Sequence, residues 1–254
     1  DKPVPEQYAN WFGKMLHGDF GTSYMQKKSV ISLMSKALTV TLQLAICAYI
    51  FAVVLGLVMG IIAAVNHGRW LDRTLMSLAV FGISAPVFWV AIVLQIVFAL
   101  NLKWFPLSGV KTAAAYVLPI IALGTRYAAS IARVTRTSML DVLSQDYIRT
   151  AEAKGLSRWT IIIKHALRNA LIPIITIAGT QLGDILTGSI LIESIFAMPG
   201  MGKLLLDAIN ARDLPLIEGS VMYIAVICVA IYLAVDILYA VVDPRIRLGG
   251  EASE

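Results

Sequence analysis

Charge is scarce in these 254 residues: Asp, Glu, Lys and Arg make up 15%, while apolar side chains make up 58%. A water-facing domain normally has about a quarter of its residues charged, so this balance places the chain in the membrane class. Cysteine is scarcer still. Cys47 and Cys228 both fall inside apolar runs, which excludes a disulfide framework and reads as small apolar packing. The three histidines, His17, His67 and His165, stand in separate segments, and no His-x-x-x-His or Cys-x-x-Cys pair occurs. No metal site and no catalytic constellation is therefore expected. A nucleotide site is also lacking. PGMGKL at 199–204 resembles a phosphate loop only faintly, with Ala197 where the first glycine belongs and no Ser or Thr after Lys203. It reads as a tight turn.

What the chain does have is long hydrophobic runs. Crossing a hydrocarbon core of about 30 Å takes about 20 helical residues. Five stretches qualify: 37–65, 74–102, 112–132, 169–192 and 219–242. The first two hold no charge, the third only Arg126, the fourth only Asp184 and the fifth only Asp236. The runs are too long and unalternating for barrel strands, so the expected fold is all-α, a polytopic membrane protein with five spans.

Between the third and fourth spans lies a polar segment, 133–168. It carries Arg133, Arg136, Arg149, Lys154, Arg158, Lys164 and Arg168 against Asp141, Asp146 and Glu152. Basic residues concentrate in cytoplasmic loops. This segment, the loop with Arg69 and Arg73, and the tail with Arg245 and Arg247 are thus expected in the cytoplasm, and the N-terminus outside. The net charge of +5 follows those loops, as topology and anionic lipid require, and does not mark a nucleic-acid partner. The N-terminal region does hold five Lys, including Lys27 and Lys28. An external start at Asp1, with no Met and no signal peptide, leads to the expectation that an earlier span precedes the five. The resulting division is an external segment 1–36, a transmembrane domain 37–248 that includes 133–168, and a tail 249–254.

Within the polar segment, Ser144 and Asp146 are expected helix caps and Gly155 a helix stop. Polar groups inside spans are costly and usually face protein or water. Asp184, with Gln181 and Thr187 close by in sequence, reads either as lining a solute path that favours a cation or ammonium, or as a carboxylate satisfied by a hydroxyl or partner subunit. Asp236 and Arg126 read as structural. Pro86, Pro119 and Pro173 should kink or break three different helices. Gly56-x-x-x-Gly60 is a close-packing face, and Tyr8, Trp11, Phe12 and Trp104 are interface anchors.

The sequence DYIRTAEAKG at 146–155, followed by HALRNALIP at 165–173, resembles the cytoplasmic loop of ABC-importer permeases, most closely the B-type subunit of the dipeptide, oligopeptide and nickel branch. HGDFGTS at 17–23, ESIFAMPG at 193–200, Arg212-Asp213 and VDPRIR at 242–247 are similar to the same branch. Aligned on Gly155, only Ala151, Gly155 and Leu167 keep the general permease pattern, and the departures resemble those of this branch. The resemblance implies a type I importer permease fold in the inner membrane. It implies a coupling helix through which Tyr147, Ile148, Arg149, Thr150, Ala151, Ala153, Lys154 and Gly155, with Trp159 nearby, contact an ATPase. By residue type alone, the same helix could instead rest on anionic lipid. The implied partners are a second homologous permease, two cytoplasmic ATPase subunits that use ATP and Mg, and an external solute-binding protein facing 15–35 and 193–218. This chain would itself hydrolyse nothing and bind no cofactor. Short peptides are the expected cargo. Nickel or a metal chelate is the alternative within the family, and an ATP-independent carrier or channel the alternative outside it.

Overall fold

The computed structural model describes residues 3–242, which form helices joined by turns and by two longer connections, 17–29 and 102–113. A surface helix α1 (Val4–Leu16) precedes α2 (Val30–Val65), and α3 (Trp70–Ser84) and α4 (Val87–Leu94) follow, the latter running on into a π-helical turn, Gln95–Asn101. Next come α5 (Ala114–Leu143), a short α6 (Asp146–Ala153), and a single turn α7 (Arg158–Thr160) that passes through a second π-helical stretch into α8 (Arg168–Ile195). Helices α9 (Met201–Ala211) and α10 (Leu214–Val242) end the described chain. Four helical stretches are long and apolar enough to cross a membrane; α3 with α4 makes a fifth only if the bent pair is one span.

That bend is the break expected at Pro86, within the second expected stretch. The helix turns through 106° at its break, where Ala85 and Pro86 both adopt extended backbone. Proline pushes the residue before it out of the helical region, and the chain resumes a helix one residue later. Pro119 and Pro173, by contrast, lie inside continuous helices.

The core is built on close backbone approach. A Cβ on Gly56 would lie 2.8 Å from the carbonyl oxygen of Ala128, and one on Gly60 2.6 Å from that of Ala132. The glycine pair therefore lets the α2 backbone come down onto the α5 backbone and the side chains of Ile131 and Thr135, as its spacing predicts. Around α5 the contacts divide cleanly. Gly124 and Ala128 meet α2, Thr125 and Ala129 meet α3 at Gly82, and Leu123 and Tyr127 meet α8 at Gly188.

Candidate functional site

At one end of the bundle α5 extends to Leu143, so the first third of the polar segment is a direct continuation of a membrane helix. The chain then turns into α6. Gln145 is the residue before α6 and offers no side-chain cap, Ser144 closes α5 instead, and Asp146 stands in the first turn. The expected caps are thus replaced, while the expected stop is found. Gly155 adopts φ +76, its amide donates to Glu152 O (2.9 Å), and Leu156 N–H reaches back to Ala151 O (3.3 Å). This pair of bonds closes the helix around a left-handed residue, the conformation glycine adopts at least cost.

Helix α6 has two faces. Ile148, 2% exposed, and Ala151 are buried in the cluster formed with Met139, Ile161 and Ile162. The expectation that these two residues meet a partner surface is corrected: they are three apart, share one helix face, and seat α6 on its own chain. Tyr147, Arg149, Thr150, Ala153, Lys154 and Gly155 are exposed, as is Trp159, at 74%. Tyr147 Oη also accepts from Asn169 Nδ2 (3.0 Å), which ties α6 to the start of α8. Two further links were not legible in the sequence. Arg136 on α5 grips buried Asp72 with two bonds of 2.5 and 2.8 Å, and Arg158 donates to Val65 O at the end of α2 (3.2 Å).

The opposite end of the bundle is organised by two buried carboxylates. Glu193, 0% exposed, accepts from Thr41 Oγ1 (2.6 Å) at one oxygen and from the amides of Gly202 (2.8 Å) and Lys203 (3.2 Å) at the other. It therefore caps the N-terminus of α9 from a different helix, where the unpaired amides and the helix dipole favour an anion. Its carboxyl group fills the space that a Cβ on Gly200 would need. Asp213, 1% exposed, accepts from Ser23 Oγ and from the amides of Tyr24 (3.1 Å) and Met25 (3.3 Å). Burial alone would push its carboxyl up, but the Ser23 hydroxyl and the amides of Tyr24, Met25 and Leu216 outweigh burial and hold it below the usual carboxylate range. The motifs at 17–23, 193–200 and 212–213 thus converge as parts of these locks. The tail motif at 242–247 lies outside the described residues apart from Val242, and so does the side chain of Asp236.

In the middle of the bundle, α8 presents an uncovered row of polar residues, Thr176, Thr180, Asp184 and Thr187. Their spacing of three and four residues keeps them on one face. Gln181, 6% exposed, is turned into the protein, so its expected place in a solute path beside Asp184 is corrected. Arg126 is also uncovered, and neither it nor Asp184 forms an ion pair among the described residues. Cys47 likewise lies exposed on α2 instead of packed, and both cysteines are free.

A family model described as "Binding-protein-dependent transport system inner membrane component" matches residues 56–248. The dipeptide transport system permease protein DppB of Bacillus subtilis (strain 168) is 47% identical over 249 residues, covering 98% of this chain and 81% of that protein. The glutathione transport system permease protein GsiC of Escherichia coli (strain K12) is 42% identical over 247 residues, covering 97% and 81%. Among solved structures, an inward-facing MetNI methionine ABC transporter chain aligns with TM-score 0.69 at 20% identity, over 84% of this chain and 97% of that one. A chain of an amino acid ABC transporter aligns with TM-score 0.59 at 16% identity, over 85% and 94%.

Proposed function

Because this chain belongs to the family of binding-protein-dependent transport system inner membrane components, with the type I importer permease fold of its structural neighbours, we propose that it is one transmembrane subunit of an ATP-driven importer of short peptides. Helix α6 carries the reading. It lies on the α5–α8 turn by buried Ile148 and Ala151, leaves Arg149 exposed beside Asp146 (3.6 Å) with Lys154 and Trp159 exposed just after it, and is fastened to α8 through Tyr147. In this reading α6 is a cytoplasmic coupling helix docked on one of two ATPase subunits, which bind ATP and Mg. Tyr147 and Trp159 supply aromatic contact, and Arg149 and Lys154 meet acidic groups, the residue types that anchor interfaces. Closure of the ATPases pushes α6, and α5 and α8 move with it because the attachment is packed and hydrogen-bonded. A second homologous permease completes the path, and an external binding protein delivers cargo to the end held by Glu193 and Asp213. The C-terminus is cytoplasmic. The cargo assignment follows the names of the relatives, dipeptide and glutathione permeases.

The test is co-purification of the tagged permease with its ATPase, combined with uptake into proteoliposomes. Gly155→Val places an L-residue at φ +76, at a cost of about 1–2 kcal/mol to the turn that ends α6. ATPase capture and uptake should both fall while the permease remains in the membrane. Normal capture and uptake in the variant would overturn the docking role. Uptake that survives a catalytically dead ATPase would identify an ATP-independent carrier. A thermal-shift screen of the cognate binding protein against dipeptides, oligopeptides and Ni²⁺ chelates checks the cargo.

A further inference from the structure

Two opposite charges stand uncovered within about one helical turn of the same depth and on the same side of neighbouring helices. From Ala114 to Arg126 is 12 residues, about 18 Å of helix, and from Ile195 back to Asp184 is 11 residues, about 16 Å. Ala114 and Ile195 lie at the same end of the bundle, where Gly109 N–H donates to Phe196 O (2.9 Å), so α5 and α8 are antiparallel. Each helix meets the other through Leu123 and Tyr127 on α5 and Gly188 on α8. At 3.6 residues per turn, Arg126 sits about 80° from its contact line and Asp184 about 40° from its own. In an antiparallel pair these offsets open to one side.

Neither charge has an ion-pair partner among the described residues. At hydrocarbon depth a single uncompensated charge is costly, and such residues mark ligand or ion routes. Packed helix axes lie about 8–10 Å apart, and Arg126 and Asp184 do not close that distance with a direct ion pair. An extended peptide advances about 3.3–3.6 Å per residue, so a two- or three-residue peptide spans that gap. At neutral pH its terminal amine is an ammonium and its terminal carboxyl a carboxylate.

We propose that Arg126 and Asp184 form a dipolar way-station in the translocation path that takes the two ends of a short zwitterionic peptide, carboxylate to Arg126 and ammonium to Asp184. The assignment rests on the permease reading and adds a binding site to it. The flanking row Thr176, Thr180 and Thr187 supplies a wettable wall along about 16 Å of α8.

The test uses the assembled complex in nanodiscs, with Cys47→Ser, Cys228→Ser and a reporter Thr180→Cys one turn from Asp184, with and without ATP and vanadate. Labelling by a membrane-impermeant thiol reagent reads water access. Dialanine and its doubly blocked form, N-acetyl-dialanine amide, are the competitors. The expected result is a labelled reporter that millimolar dialanine protects at least fivefold and the blocked peptide does not. Asp184→Asn and Arg126→Gln should each abolish that protection while leaving the reporter labelled. Equal protection by both peptides, or none by either, overturns the dipolar site and leaves the path standing. An unlabelled reporter in every nucleotide state overturns the path itself and the site with it.

Discussion

Helices α2 and α8 both cross the bundle and both leave one face uncovered, yet the two faces are chemically opposite. On α2 the uncovered row is Ile46, Ile50, Val54, Val58 and Ile62, an unbroken apolar strip of about 24 Å. On α8 the row is Thr176, Thr180, Asp184 and Thr187, and Arg126 of α5 opens to the same side. Hydrocarbon suits the first strip and offers nothing to the second, since lipid tails cannot hydrogen-bond or solvate charge. The difference separates a face suited to hydrocarbon from one that needs hydrogen-bonding or charged surroundings. Mean hydropathy does not reveal this, because both helices pass as spans.

The sharpest way to break the comparison is to exchange polarity between the faces. Val54→Asp should cost about 3 kcal/mol, the insertion penalty of a central carboxylate, and should reduce membrane-inserted protein severely. Thr180→Asp, at similar depth, should keep near-normal levels. Quantifying both variants in membrane fractions checks this, and equal losses would mean that the polar row is not wet. A smaller effect is expected where the two regions join through α5. Gly60→Leu drives a side chain into the Ala132 carbonyl and Thr135, and overpacking of this kind costs about 1–3 kcal/mol, read as a lower Tm of the detergent-solubilised complex. Smallest is the acid sensitivity of Asp213. Its carboxyl is held below the usual range in the folded protein, so its stabilisation is present above an unfolded pKa of about 3.9 and is lost as pH falls through the folded value. Thermal unfolding should show a drop below about pH 4 that Asp213→Asn removes.

The spans were legible because burying apolar area against lipid depends on composition over about 20 residues. The stop at Gly155 was legible too, since few residues other than glycine take φ +76 easily. The break in the second span was only half legible. Pro86, Pro119 and Pro173 look alike in sequence, and one of the three bends the chain by 106° because Ala85 before it also leaves the helix. Ile148 and Ala151 were visible as apolar residues, but their inward direction follows from how the α5–α8 turn closes over Met139 and Ile161. Glu193 and Asp213 looked like parts of motifs with no stated chemistry. Their roles require partners 152 and 190 residues away, Thr41 and Ser23 respectively.

By itself, then, the order of residues determined an all-helical membrane chain, the position of its polar connection, and the small residues on which helices approach. These follow from local propensity and from transfer of whole segments into lipid, which need no knowledge of neighbours. Tertiary structure alone decided direction: which side of each helix is covered, which carboxylates are buried as caps, and that Arg126 and Asp184 stand free on one face. Those depend on helix rotation and on contacts between distant segments, where a turn of 100° per residue separates a buried Gln181 from an uncovered Asp184.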